Sequence, residues 1–482
     1  MLKRILFAVM FACTVLSFAA GAEVVPEKPT LTYDKYDIDE DGVFDDMVYE
    51  ISTKEELYWF ANAVNNGQVH ISVILTNDIT VNENLLSKLT VAEDLSAVLN
   101  DGEIAESWNC YGSYKGVFDG RGYTISGLYY NDSGENARKG GLFGSISNAV
   151  VRNLNVADSY FSTNGVYVGG IAAEISVSTI ENCTFDGYCR VSGDSVVGGI
   201  CAKIGSSSVV RFCTNYGDIY GSGSVYHPVG GIAGTTTSDS SYVNNCINEG
   251  KIIGSNSYTG GIVGFNYGVI NYCINKGTID ADYGCGICTV HFRGHVNDSY
   301  NIGVAKRGIG GYTTIDDENG YVSNCYWLES VSDSGYREDP KGVSESRTEE
   351  QMKSADFLAA LSKGEDGIWQ QNEGEYPTLI PLEMSPLSIN DNATTDTTSH
   401  IYSVTDGVIT VAADDAGVSF TVIFSDYDGK KQNAVDIVPF SSEKAATKYT
   451  VSSTLSLSAG DKIIVLENTN TLAPVCKEYI FE

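Results

Sequence analysis

The pattern of hydrophobic and polar positions between Gly140 and Trp327 is periodic. A glycine followed by an apolar residue and two mostly small residues occurs seven times, and successive copies begin 29, 29, 32, 30, 25 and 25 residues apart. The copies begin at Gly141, Gly170, Gly199, Gly231, Gly261, Gly286 and Gly311. A period of this length indicates a repeat protein, in which each unit stacks on the next.

A second phrase runs in phase with the glycine phrase. It places a cysteine or serine after a turn residue, as in Asn182-Cys183, Phe212-Cys213, Asn245-Cys246, Tyr272-Cys273, Asp298-Ser299 and Asn324-Cys325. In the middle copies it continues into Asn-x-Gly, as at Asn248 to Gly250 and Asn275 to Gly277. Asn and Gly are the residues that turns require, so each unit contains short strands joined by tight turns.

Short apolar runs in each unit predict a right-handed parallel β-helix. The runs are rich in β-branched residues and no unit has the 3.6-residue period of a helix. One unit cannot bury its own apolar face, whereas stacked units share a continuous core and align equivalent side chains about 4.8 Å apart. We therefore expect Cys246 and Cys273 in one interior ladder and Asn248 and Asn275 stacked at the adjoining turn. Right-handedness is expected from the chirality of parallel crossovers.

The flanking sequence predicts elements that close the solenoid. A capping box at Thr53 and Glu56 precedes apolar residues with helical spacing, and Asn66-Gly67 ends that helix. Residues 85–107 are expected to form a side insertion. Short capped helices are expected after Thr348 and Ser354, closed by Gly364, with Trp369 and residues 376–379 held against the last coil.

The C-terminal region has a different pattern, with strands at the spacing of a small β-sandwich. The predicted strands are 408–411, 418–424, 449–457 and 462–466. The chain is thus divided into a signal peptide (1–22), an acidic N-terminal segment (23–50), the β-helix with its capping elements (51–380), a linker (381–399) and the β-sandwich (400–482). The fold class is all-β.

The coils resemble the GLUG-motif family of secreted bacterial surface proteins, which is named for its Gly-Leu-x-Gly phrase. The resemblance rests on Gly141 to Gly144 and its copies, on Gly116 to Leu128 upstream, and on Cys325 to Trp327 downstream, and it covers roughly residues 50–380. It implies an extracellular or cell-surface location and adhesion-like roles. Residues 421–429 and the segment after Asp461 resemble small β-sandwich accessory domains of clostridial surface proteins.

The charge of the chain limits the classes of partner that it can bind. Lys and Arg number 30 against 62 Asp and Glu, which gives a formal charge of −32. This excess of negative charge disfavours nucleic acid and anionic membranes. Lys3 and Arg4, the apolar run to Phe18 and the small residues before Glu23 form a secretory leader. Because no later apolar run reaches the length of a membrane span, no membrane insertion is expected.

One acidic stretch has the ligand spacing of a calcium loop. Asp37, Asp39, Asp41 and Asp45 occupy positions 1, 3, 5 and 9, and Gly42 occupies position 6. Val48 stands at position 12, where a complete EF-hand has glutamate. The stretch is therefore either a site for Ca²⁺ as a cofactor or a solvated acidic turn.

Eleven cysteines remain after the leader, and most of them occupy ladder positions. We expect buried free thiols, because stacked parallel neighbours do not readily provide disulfide torsion angles. Cys285 and Cys288 have the spacing of a redox or metal motif, but Cys285 replaces a repeat glycine and Cys288 matches Cys201 in the repeat. A structural role is expected for both.

Candidate chemistry is sparse in the coils. His291, Arg293 and His295 would share one face of a strand, but Gly294 aligns with the turn at Gly268, so the strand is expected to break there. With Asp280 and Asp282 one coil earlier, Arg293 could form the carboxylate–base site of a polysaccharide lyase or glycoside hydrolase. This enzyme remains the alternative function.

Tyrosine gives the stronger functional signal. The chain contains 30 tyrosines, and many in the coils lie beside turns, where a ring can be exposed. We select Tyr220, Tyr258, Tyr267 and Tyr283 as candidate binding residues, with packing on neighbouring turns as the other interpretation. The predicted function is a secreted or surface-associated, non-catalytic protein in adhesion, whose partner is a surface glycan or protein ligand.

Overall fold

A computed structural model describes residues 24–33, 35–40, 47–92, 97–134, 137, 139–222, 226–255, 258–313, 322–332, 334–335, 344–363 and 367–384. Beyond residue 400 it describes the backbone of the strands alone. Gly364, at which we expect the last helix of the capping segment to close, lies outside the described residues.

The coils form a parallel β-solenoid with five sheets, which we name A to E in chain order around one coil. Sheet A contains Thr30–Tyr33, Met47–Ile51, Ser72–Leu75, Val117–Asp119, Val150–Arg152, Thr179–Glu181, Ser208–Arg211, Ser241–Asn244, Val269–Asn271, His295–Asn297 and Val322–Ser323. Sheet B contains Ile79–Thr80, Thr124–Ser126, Asn155–Ala157, Thr184–Phe185, Thr214–Asn215, Ile247–Asn248, Ile274–Asn275, Tyr300–Asn301, Cys325–Leu328 and Ser344–Arg347.

The other three sheets complete each coil. Sheet C contains Tyr129–Asp132, Tyr160–Thr163, Arg190–Gly193, Asp218–Gly221, Ile252–Gly254 and Ile279–Ala281. Sheet D contains Tyr167–Gly169, Val196–Gly198, Val229–Gly230 and Thr259–Gly260. Sheet E contains Ser113–Tyr114, Ser145–Ser147, Ala172–Ser176, Cys201–Ile204, Ala233–Thr236, Val263–Asn266, Cys288–His291 and Gly310–Thr313. Neighbouring coils pair in parallel, which confirms the predicted solenoid.

Two interior ladders explain the second sequence phrase. The Nδ2 of Asn215 donates to the Oδ1 of Asn248 (2.7 Å), and Asn248 donates in the same way to Asn275 (2.8 Å). Each of these fully buried amides also bonds a carbonyl two residues later in its own turn, such as Gly250 O for Asn248 (3.2 Å). Cys246 and Cys273 lie beside the amides at 0% exposure, as predicted.

The glycine phrase is in phase with the asparagine phrase because the two columns contact one another. A Cβ atom at Gly231 would lie 2.1 Å from Gly261 O and 2.4 Å from the Cγ of Asn248. Gly261 makes the equivalent approach to Gly286 O and to Asn275. Real Cβ atoms do not come this close to other heavy atoms, so the close stacking of coils over the amide ladder requires glycine.

The residue before each ladder cysteine turns the corner between sheets A and B in the left-handed conformation. These residues have φ between 49° and 54° and are Asn182, Phe212, Asn245, Tyr272, Asp298 and Asn324. Asn and Asp tolerate this conformation better than other non-glycine residues do, which explains why most copies of the phrase begin with one of them.

An N-terminal helix covers the first coils. The helix Lys54–Asn65 has the predicted capping box at Thr53 and ends at Asn66. Phe60 inserts among Tyr114, Phe118 and Phe143, with ring centroids 5.3 to 6.0 Å apart. The acidic segment before the helix also supplies the antiparallel strands Thr30–Tyr33 and Met47–Ile51 to sheet A, which the sequence did not indicate.

Further elements pack on the outside of the solenoid. The predicted insertion consists of a 3₁₀ helix, Leu85–Lys88, and a hairpin of Leu89–Val91 with Ala97–Leu99, and it covers Tyr160 of sheet C. A second 3₁₀ helix is Glu329–Val331. The helices Glu349–Met352 and Ala355–Ser362 and the pair Trp369–Gln370 and Thr378–Leu379 cover Tyr300 and Tyr326 of sheet B.

The C-terminal region contains two antiparallel sheets, as expected for a sandwich. One has Ile401–Thr405, Val408–Ala413 and Thr447–Ser452, and the other has Ser419–Asp428, Lys431–Ser441, Lys462–Glu467, Ala473–Pro474 and Tyr479–Ile480. The sequence located four of these eight strands and missed Ile401–Thr405, the long strand Lys431–Ser441, and the short strands Ala473–Pro474 and Tyr479–Ile480.

Candidate functional site

The structure brings three of the four selected tyrosines together. Tyr258, Tyr267 and Tyr283 lie along the outside of sheets D and E on two successive coils. All three are half-buried. Tyr220 lies on sheet C, on another face of the solenoid. The selected residues therefore belong to two sites.

Two phenylalanines complete a continuous group of rings, which we name the aromatic patch. Starting at Tyr283, the ring centroids are separated by 6.3 Å to Tyr258, 6.2 Å to Phe265, 5.2 Å to Tyr267 and 5.4 Å to Phe292. Tyr267 is stacked on Phe265, while the contacts of Tyr283 with Tyr258 and of Tyr267 with Phe292 are edge-on. The five rings form one surface across two coils.

The local fold holds the patch rigidly. Phe265 points outward because its neighbour in the strand, Asn266, is fully buried and successive side chains face opposite sides. The hydroxyl of Thr236 accepts hydrogen bonds from the amides of Tyr267 (2.8 Å) and Gly268 (2.9 Å), which fixes the turn that carries the Tyr267 ring. The Tyr267 ring is thus held at the surface by a turn whose backbone amides are hydrogen-bonded.

The sequence did not single out Phe265 and Phe292. A signal was present, since Phe265 occupies the position in its copy that Lys203 and Thr235 occupy in earlier copies. Aligning the copies would have placed it on the outward face next to Tyr258 and Tyr267.

The same face carries charges in earlier coils. Glu174 pairs with Lys139 and, at 2.7 Å, with Lys203, and both ammonium groups lie over the ring of Tyr167, at 5.9 and 5.2 Å from its centroid. Burial would raise the pKa of Glu174, but the hydrogen bonds and charges of the two lysines outweigh it and lower that pKa. We name these four residues the charged cluster.

Tyr220 lines a separate trough of about 1210 Å³ on sheet C. Its lining includes Ile253, which pairs with Asp280 in the sheet register, and the exposed Val304. The charged residues of the lining are Asp218, Asp280, Asp282, Glu329, Lys251 and Lys306. The trough and the aromatic patch lie on different sheets.

The residues of the enzyme alternative do not converge. A break was predicted at Gly294, and residues 292–294 separate the two strands, so His291 ends a strand of sheet E and His295 begins one of sheet A. Burial lowers the pKa of His295. Asp280 and Asp282 line the trough on sheet C, so the structure does not join them to Arg293 in one groove.

The proposed calcium loop is described only in part. Asp37 is buried and Asp39 is exposed, while Asp41 and Asp45 lie outside the described residues. The stretch is anchored by Arg152, which donates to Ile38 O (3.1 Å) and pairs with Glu40 and with Asp119 (2.9 Å). Within the described residues no group of three metal-ligating side chains occurs. The calcium site remains a prediction.

The ten cysteines that the structure describes are free and buried, as expected. Burial raises the pKa of Cys110 and Cys325 to about 12 and that of Cys285 to about 11, so these thiols are protonated at neutral pH. Cys285 pairs with Gly260 of the preceding coil and Cys288 with Val263, which places both at the predicted repeat positions.

Comparison with known proteins adds little beyond the fold. No family model matches the chain. It is 31% identical over 153 residues to Halomucin from Haloquadratum walsbyi, a match that covers 32% of this chain and only 2% of that protein. Among the described residues, no helix is both long and apolar enough to cross a membrane.

Two solved structures are distantly similar. One is a candidate immunoglobulin A1 protease from Bacteroides ovatus, with a TM-score of 0.41 and 17% identity over 72% of this chain and 94% of that chain. The other is an IgA1 protease with a TM-score of 0.41 and 15% identity, covering 73% of this chain and 26% of that chain.

Proposed function

We propose that the chain is an extracellular or surface-associated, non-catalytic protein that binds a neutral surface glycan on the aromatic patch. The observation that carries the proposal is the continuity of the five rings, whose successive centroids are 5.2 to 6.3 Å apart across two coils. The resemblance to GLUG-motif surface proteins supports the location.

The chemistry of the patch favours sugars without charge. Aromatic faces pack well against the apolar C–H faces of sugar rings, and the tyrosine hydroxyls can bond sugar hydroxyls at the edge. The formal charge of −32 repels acidic polysaccharides at long range, which leaves neutral glycans as the best-matched class.

The geometry favours binding over turnover. A lyase needs a base and carboxylates that converge on one substrate, and Arg293 lies away from the trough that Asp280 and Asp282 line. Lys276, another cation of these coils that could serve as a base, is held by Glu249 at 2.8 Å.

Affinity electrophoresis through gels that contain neutral polysaccharides tests the glycan proposal. Tyr267→Ala, Tyr258→Ala and Tyr283→Ala should each weaken retention about fivefold, equivalent to about 1 kcal/mol for the loss of one aromatic contact. Tyr188→Ala removes a tyrosine that is 73% exposed and distant from the patch, so it is the matched control. Equal losses for the control and the patch variants would refute the site.

A second assay separates binding from catalysis. The protein is incubated with acidic and neutral polysaccharides in the presence of calcium, and ultraviolet absorbance of unsaturated products and new reducing ends are followed. No product is expected. Either product, lost in Arg293→Ala, would replace the binding proposal with the enzyme alternative.

A further inference from the structure

A short N-terminal segment lies along the outside of sheet A and covers its first coils. We name residues 35–40 the N-terminal strap. At its start Tyr36 donates to the carboxylate of Glu50 (2.7 Å), and at its end Glu40 pairs with Arg152. Glu50 and Arg152 lie in one outward column of the sheet, three coil steps apart. Because each step is about 4.8 Å, the strap crosses about 14 Å of the sheet.

One apolar side chain and one arginine hold the strap. Ile38 is 1% exposed and belongs to an apolar cluster that Val117 of the sheet completes. The Nε of Arg152 donates to Asp119 (2.9 Å). Its two terminal nitrogens are left to donate to Ile38 O (3.1 Å) and to the carboxylate of Glu40. A carboxylate of the neighbouring coil thus orients a guanidinium that binds an extended segment.

The same pair of carboxylate and arginine recurs two coils further along the column. Arg152 pairs in register with Glu181, and Glu181 pairs with Arg211. The Nε of Arg211 donates to Glu181 (2.7 Å), and its Nη2 lies 2.5 Å from the same oxygen. Within the described part of the chain, the Nη1 of Arg211 has no hydrogen-bond partner. The Arg211 side chain is 47% exposed, against 10% for Arg152 under the strap. We name Glu181 and Arg211 the second arginine site.

An apolar column runs beside this second site. It starts at Val117, next to Ile38, and continues through Val150, Thr179, Val209 and Tyr242. Tyr242 is 36% exposed, and the three residues before it are half-buried. A groove of about 350 Å³ leads from Ile38 along this column to Thr179. The surface that the strap occupies is therefore continuous with the surface at the second arginine site.

We propose that the second arginine site binds an extended segment of a protein partner in which an apolar residue precedes a carboxylate by two positions. The strap has this spacing at Ile38 and Glu40, and residues two apart in an extended chain face the same side. The apolar side chain of the partner packs on the column that ends at Tyr242. Its carboxylate accepts charge-assisted hydrogen bonds from Arg211.

The strap of a second copy is not the occupant, because each strap is engaged in its own chain through Ile38 and Glu40. The formal charge of −32 repels strongly acidic chains, so the carboxylate of the partner lies in an otherwise neutral or basic sequence. The site is on sheet A, whereas the aromatic patch is on sheets D and E. Binding of the segment is therefore independent of glycan binding.

Fluorescence anisotropy with the mature full chain tests the proposal. The probe is a labelled, capped peptide with the sequence of residues 36–40, in which asparagine replaces Asp37 and Asp39 so that one carboxylate remains. A second peptide has glutamine in place of Glu40. The glutamate probe should bind about tenfold more tightly than the glutamine peptide, because the guanidinium bonds a carboxylate more strongly than an amide.

Variants of the chain locate the binding. Arg211→Gln should weaken the glutamate probe about tenfold, and Tyr242→Ala should weaken it about threefold through the loss of apolar contact. The matched control is Arg190→Gln, which removes the same charge and an ion pair between coils, that with Asp218 (3.3 Å), on sheet C. This control should retain affinity within about twofold, because charges beyond a Debye length are screened.

Three results would overturn the proposal. They are no binding of the glutamate probe, equal binding of the two peptides, and equal weakening by Arg211→Gln and Arg190→Gln. A concentration-dependent dimer that the probe dissociates would assign the face to a second copy of the chain and would overturn it as well. Each measurement is made without glycan, so a failure here leaves the glycan proposal untouched.

Discussion

The inward and outward sides of the same strands follow different rules. Inward positions repeat from coil to coil, as in the amide ladder of Asn215, Asn248, Asn275 and Asn301. Outward positions on sheet E change at every coil, through Glu174, Lys203, Thr235, Phe265 and Val290. The sequence repeat therefore arises from the inward-facing positions and not from the outward-facing ones.

The difference has a physical origin. An interior residue contacts its own copy in the next coil, so a change in one coil leaves a buried polar group of its neighbour without a partner. An outward residue contacts solvent or a ligand, and neighbouring copies constrain it weakly. Stability thus depends on the interior residues that recur in every coil, and ligand recognition depends on the outward residues that differ between coils. Changes on the two sides should have effects of different kinds and sizes.

The largest effect is expected where the two interior columns touch. Gly231→Ala would place a Cβ atom 2.1 Å from Gly261 O and 2.4 Å from the Cγ of Asn248, so the coils must separate locally. We expect a loss of roughly 3 kcal/mol or more in the free energy of unfolding, measured by urea denaturation.

The control for this glycine is Gly187→Ala, whose Cβ would have its nearest neighbour at 3.7 Å. That variant should be within about 0.5 kcal/mol of the parent. Similar losses for the two variants would contradict the claim that the stacking of coils requires glycine in this column.

The next effect is expected inside the amide ladder. Asn248→Ala removes the acceptor of Asn215 and the donor to Asn275, both at 0% exposure. Buried polar groups without partners cost about 1–3 kcal/mol, so we expect a loss of about 2 kcal/mol in thermal or urea denaturation. Asn155→Ala, which removes a solvent-exposed amide bond to Gly122 O, should cost less than about 0.5 kcal/mol. A larger loss of stability in Asn155→Ala than in Asn248→Ala would contradict the distinction between inward and outward positions.

This distinction also explains which features the sequence could reveal. The sequence revealed the solenoid and its Cys246 and Asn248 columns because interior residues recur at a fixed spacing. It revealed the capping helix because that helix begins with a characteristic capping box. Phe265 and Phe292 were missed since outward positions carry no period. Tyr258, Tyr267 and Tyr283 were selected as separate residues, and their contact with one another required the register of neighbouring coils.

The missed strands that lie at sheet edges have a related cause. Lys431–Ser441 lies at the edge of its sheet and contains Pro439, which an edge strand tolerates and a central strand does not. Thr30–Tyr33 is likewise an edge strand. Edge strands need less apolar alternation than central strands, so their sequence signal is weak.

A smaller and favourable effect is expected at the corner between sheets A and B. Phe212 holds φ of 53° where three of the other five copies have asparagine, and this left-handed conformation is strained for a bulky residue. Phe212→Asn should raise the free energy of unfolding by about 0.5–1 kcal/mol. The corresponding change at Tyr216, an exposed residue outside the left-handed set, should give no gain. A loss of stability in Phe212→Asn would show that packing of the ring outweighs backbone strain.

The smallest effect is expected on the outward face, in the charged cluster. The pKa of Glu174 is lowered below its ordinary value of 4.5, so its pairing stabilises the fold above that pH and is lost as pH falls through the folded-state pKa. The pKa of Lys203 is raised above 10.5 by the hydrogen bond from its ammonium group to Glu174, so the lysine contribution is present below pH 10.5 and lost as pH rises through its folded-state pKa.

Because these side chains are partly exposed, Glu174→Gln should cost only about 0.5–1 kcal/mol at neutral pH. Urea denaturation at a series of pH values from 7 downward should show the difference between parent and Glu174→Gln shrink as the pH falls below 4.5, while exposed Glu373→Gln follows the parent. A difference that does not change with pH would mean that Glu174 stabilises the fold through packing, as interior residues do.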